Sequence, residues 1–107
     1  MDPEKIIELA EKWVEAAERW EATRAARIAG DGDRWDVSSS RYDCASARDR
    51  FEIAVRYPDA DTFYCYAEDE ATARASVARE GKVLLIGIEP GSSAPANCPA
   101  WRIVVAR

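Results

Sequence analysis

The most constraining feature of this 107-residue sequence is the run from Asp2 to Gly30, where Ile6, Leu9, Trp13, Ala16, Trp20 and Thr23 recur at alternating spacings of three and four. That period places all six on one stripe of an α-helix. Asp2, Pro3 and Glu4 supply an N-cap, a first-turn proline and an acidic first turn, and Gly30 supplies a C-terminal stop. The spacing predicts a helix of about 27 residues, roughly 40 Å long. A helix of that length with one apolar stripe needs a second layer to cover it.

The rest of the chain offers candidates for that layer. Phe51, Ile53, Val55 and Tyr57 alternate with Glu52 and Arg56, and Pro58-Asp59-Ala60-Asp61 reads as a turn. Thr62 to Ala67 then resumes strand chemistry, with Phe63 and Cys65 on one face and Tyr64 and Tyr66 on the other, so 50–67 is expected to be a hairpin. Asp69 to Glu80 reads as a short alanine-rich helix capped by Asp69 and ended by Gly81. Val83 to Ile88 is an almost unbroken apolar run, the pattern of a central strand covered on both faces. Trp101, Ile103 and Val105 alternate as a last strand. Gly91 to Pro99 is rich in residues that favour loops.

Residues 34–49 support two assignments. Trp35 and Val37 alternate as in a short strand broken by the serine run 38–40, whereas Val37, Cys44, Ala47 and Phe51 follow a helical period and would make a second helix antiparallel to the first. The favoured expectation is irregular structure with a short strand or helical turn. The fold class that follows is α+β: a long N-terminal helix packed on a mostly antiparallel four- to five-stranded sheet with a second short helix, in a single domain spanning 1–107.

The sequence contains no histidine, which excludes Ser-His and Cys-His nucleophile pairs and most zinc sites. Cys44, Cys65 and Cys98 form no CxxC arrangement. An odd number at wide spacing fits reduced thiols, although one bridge between Cys98 and Cys44 or Cys65 stays open. Asp31, Asp33 and Asp36 resemble part of a calcium loop, but the twelfth position from Asp31 is Tyr42 where an EF-hand has Glu. They read as turn and cap residues. Gly81-Lys82 and Gly91-Ser92-Ser93 lack the glycine spacing of a phosphate loop. No catalytic, cofactor-binding or metal-binding residue emerges.

Twenty acidic and fifteen basic side chains leave a net charge of −5, which argues against binding nucleic acid through phosphate neutralisation and favours a basic partner. No run of about 18 apolar residues and no signal-peptide pattern is present, so the expectation is a soluble cytoplasmic protein without a membrane role. Aromatic content is what remains. Trp13, Trp20 and Trp101 are expected in the core, the alternative being that they line a small-molecule pocket between helix and sheet. Tyr64 and Tyr66 either form a protein-binding surface or pack beneath the helix at 69–80.

Residues 2–20, from Asp2-Pro3-Glu4-Lys5-Ile6-Ile7-Glu8-Leu9 onward, resemble the idealised helices of computationally designed proteins, with a clean cap, strong helix formers and charge pairs four residues apart. That resemblance implies a scaffold or binding module without a natural role. Phe51 through Glu89 is similar instead to small bacterial or phage domains, in which a hairpin, the helix Asp69-Glu70-Ala71-Thr72-Ala73-Arg74-Ala75 and an apolar strand follow one another. That one implies an inhibitor or adaptor acting through surface contact. Both lead to a non-enzymatic protein that works by binding or serves as a scaffold; the alternative is a small-molecule binder or simple enzyme using an aromatic-lined pocket.

Overall fold

A computed structural model describes residues 2–90 and 94–106. The Gly91-Ser92-Ser93 segment lies outside the described residues. The chain divides into two compact units, residues 1–56 and 57–107. Together they hold three helices and a three-stranded antiparallel sheet among the described residues, so the α+β class holds with fewer strands and one more long helix than the sequence pattern predicts.

The first unit is a pair of helices, α1 (Pro3–Ile28) and α2 (Arg34–Arg56). The Asp2 side chain accepts a hydrogen bond from the Glu4 backbone N–H at 3.0 Å, the predicted cap. At the other end Gly30 takes a positive φ of 85° while the N–H groups of Gly30, Asp31 and Gly32 return to carbonyls of the last turn. Asp33 then starts α2. Its side chain accepts from the Trp35 N–H at 2.9 Å and its carbonyl accepts from the Val37 N–H.

Helix α2 replaces both the irregular segment expected at 34–49 and the first strand of the hairpin expected at 50–67. The reason is periodicity over length. Val37, Ser40, Cys44, Ala47, Phe51 and Ala54 continue one helical stripe for five turns, which outweighs an alternation of four residues at 51–57. Ile53 and Ala54 are adjacent and both buried, a pattern that an alternating strand does not produce. The serine run is no obstacle either, because the Ser40 hydroxyl bonds back to the carbonyls of Asp36 and Val37.

Helix α2 covers the α1 stripe, a role expected of the sheet. The Trp13 and Phe51 rings meet at 5.5 Å between centroids, and the hydroxyls of Thr23 and Ser40 are 2.6 Å apart. Arg19 bridges to Asp43 at 2.8 Å. Residues early in α1 thus meet residues late in α2, as antiparallel neighbours joined by a short loop must.

The second unit contains β1 (Asp61–Tyr66), α3 (Glu70–Ser76), β2 (Lys82–Ile88) and β3 (Ala100–Ala106). The sheet order is β1-β3-β2, and both outer strands are antiparallel to β3. Strands β1 and β2 therefore run parallel on either side of the last strand, linked through α3 as a split β-α-β unit. The central position goes to β3, where the sequence pattern predicts β2. The run in β2 includes a register shift between Val83 and Leu85, and Leu84 and Ile88 are exposed. In β3, by contrast, Ile103, Val104 and Val105 are all buried.

One face of the sheet carries the core of this unit. Ile103 and Val105 cluster with Ala67, Ala73 and Val77, and Phe63, Cys65, Val83, Ile86 and Trp101 pack against them. Helix α3 is shorter than expected, because it ends at Ser76 and a turn from Val77 to Glu80 leads to Gly81. Small alanines on α3 let it approach the sheet closely.

Asp69 caps α3, its side chain accepting from the Thr72 N–H at 2.8 Å. That bond to the Thr72 backbone holds the Asp69 carboxyl below the usual carboxylate range, with the Thr72 side chain adding to it. A depressed folded pKa means that this stabilisation is present above the unfolded pKa and is lost as pH falls through the folded one. Asp69→Asn keeps the acceptor and removes the charge. It is expected to flatten the acid limb of the stability curve below about pH 4, read by urea denaturation at several pH values; an acid limb identical to that of the parent protein counts against the cap.

Candidate functional site

Tyr64 and Tyr66 lie on β1, an outer strand of the sheet, and alternate with Phe63 and Cys65 as the sequence predicts. Their neighbours explain their exposure. Tyr66 is opposite Ala100 in the register, a residue too small to cover a phenol ring, and is 73% exposed. Tyr64 is opposite Arg102 and is 45% exposed. Packing beneath α3 is closed to both, because α3 covers the face that carries Phe63 and Cys65.

Acidic residues flank the pair along the chain. Residues 57–70 contain Asp59, Asp61, Glu68, Asp69 and Glu70 and no lysine or arginine. Glu70 is balanced by Arg74 at 3.2 Å, one turn along α3. Tyr64 and Tyr66 offer two exposed π faces on one side of β1, which suits guanidinium and ammonium groups.

The three tryptophans are distributed between the units: Trp13 and Trp20 belong to the helical one and Trp101 to the sheet. Each has a local role. Trp13 packs on Phe51 with the Arg48 guanidinium 5.8 Å from its ring centroid, and Arg24 sits 5.3 Å from the ring centroid of Trp20. The Trp101 indole N–H donates to the Ala67 carbonyl at 2.9 Å, tying β3 to the end of β1.

Cavities open on the helical unit against other described residues. One of about 230 Å³ lies between α1 and α2 against Leu9, Lys12, Tyr42, Ser46 and Arg50. Another, about 350 Å³, lies against Arg34, Trp35 and Ser38. An irregular segment at 34–49, the favoured expectation from sequence, provides no helix on which to place either.

Cys44 is buried, Cys65 packs against the sheet core, and all three cysteines are free thiols. Ser76 reaches the Cys65 sulfur at 3.6 Å. None of the described helices is long and apolar enough to cross a membrane. No known family model matches the sequence, and no curated protein or solved structure matches it either.

Proposed function

We propose that this chain is a non-enzymatic binding protein that docks a partner protein through Tyr64 and Tyr66 of β1, and that the partner surface is basic. The observation that carries the reading is the exposure of two tyrosines, two residues apart on an outer strand, in a sequence stretch, 57–70, that is rich in carboxylates. Tyrosine buries a large area at little conformational cost and is enriched where proteins meet. The net charge of −5 agrees with a binding role toward a cationic surface.

The test uses the full chain, labelled with ¹⁵N and titrated with an arginine-rich peptide and with a glutamate-rich peptide of equal length. Shifts confined to residues 61–70, produced by the basic peptide alone, are expected. Tyr64→Ser/Tyr66→Ser should weaken that binding at least tenfold (roughly 1.4 kcal/mol) and leave the thermal midpoint within a few degrees. Equal response to both peptides, or shifts on α1 in place of β1, overturns the proposal. A fall in thermal stability would instead assign the tyrosines to the core.

A further inference from the structure

Helix α1 carries a second apolar stripe that α2 leaves uncovered. Ile7, Val14 and Ile28 are 58%, 55% and 82% exposed, and they fall at intervals of seven and fourteen residues, with Glu21 at the missing heptad position. No residue of α1 is fully buried. A seven-residue apolar period on an exposed helix face is the pattern by which one helix packs along another.

Charge along the same helix identifies the occupant. Residues 4–18 contain five glutamates and two lysines, a net −3, while residues 20–28 contain two arginines and one glutamate, a net +1, with Arg19 already paired to Asp43 of α2. Compensation of the helix dipole accounts only for charges in the first and last turns. Glu11, Glu15 and Glu18 lie in the middle of the helix, outside its reach. A helix with an acidic first half and a basic second half is complementary to a copy of itself running the opposite way.

We infer that α1 is a self-association surface, on which a second copy of this chain packs its own α1 antiparallel. In that arrangement Ile7 of one copy lies beside Ile28 of the other, and Val14 lies against the aliphatic part of Glu21. The acidic half of each helix faces the basic half of its partner. The contact runs from residue 7 to residue 28, about 30 Å of helix. It rests on α1 alone and on none of the observations behind the binding role of the tyrosines.

Sedimentation equilibrium of the intact chain between micromolar and millimolar concentration is expected to give a monomer–dimer equilibrium. Val14→Glu, at an exposed position, should raise the dissociation constant at least tenfold without changing the helical circular dichroism. Arg24→Glu/Arg27→Glu alone should be monomeric, and so should Glu8→Lys/Glu11→Lys alone, while an equimolar mixture of the two should form a heterodimer. A monomer at every concentration overturns the inference. So does a dimer that survives Val14→Glu, or one that is lost in Tyr64→Ser/Tyr66→Ser instead.

Discussion

Gly81→Ala is expected to destabilise the protein by about 3 kcal/mol. Gly81 has φ of +147°, a conformation that side chains of L-residues rarely adopt. A Cβ there would also run into the Ala106 carbonyl oxygen and approach the Val105 Cγ1 to 3.1 Å. The obstacle is backbone of the central strand, paired with the adjacent Lys82, and cannot swing aside as a side chain tip would. Conformational strain and overlap therefore add. For a domain of about 60–100 residues a loss of this size corresponds to a drop of roughly 12–24 °C in thermal midpoint. Gly30→Ala is the control: its φ is also positive, at 85°, but a Cβ there meets nothing within 4 Å, so only the conformational cost of about 1 kcal/mol remains. Equal effects of the two substitutions in chemical denaturation would show that the close approach of Gly81 to β3 does not matter.

Ile103→Ala should cost about 2–5 kcal/mol. Ile103 is fully buried at the centre of β3, opposite Phe63 on one side and Ile86 on the other. Removing its three outer carbons leaves a cavity bounded by two strands and α3, and strands held by hydrogen bonds on both sides relax little to fill it. Ile88→Ala removes the same atoms from an exposed position at the end of β2 and should change stability by less than about 0.5 kcal/mol. A denaturation experiment in which the two substitutions have similar effects would contradict the placement of β3 at the centre.

Both substitutions fall in the sheet unit, where strand faces are legible in the sequence and strand order is not. Alternation along β1 is readable because a strand displays its faces every second residue, and Tyr64 and Tyr66 fall opposite Phe63 and Cys65 as that rule requires. A short apolar run such as Val83 to Ile88 looks the same whether its strand is central or lateral, since hydrophobicity records burial and not hydrogen-bond partners. The exposure of Tyr66 is likewise a property of its neighbour Ala100, which is 34 residues away in sequence.

Competing local patterns have the same effect on residues 34–56. The stripe Val37, Cys44, Ala47 and Phe51 overlaps the alternation of Phe51, Ile53, Val55 and Tyr57, and its greater length favours the helix without showing what that helix packs on. Pairing decides it: α2 as a helix brings Phe51 to Trp13, Ser40 to Thr23 and Asp43 to Arg19 along one seam.

What the sequence by itself determined is the set of features with a local cause. The start and end of α1, the cap of α3, the turn at Asp31–Asp33 and the two faces of β1 all depend on residues within a few positions of one another. What only the tertiary structure decided is which surfaces are used and which remain: α2 over the α1 stripe, β3 at the centre of the sheet, and the exposed tyrosines and second α1 stripe left over. Those outcomes depend on contacts between segments far apart in the chain, where each apolar face has several possible partners and only the sum over all of them selects one.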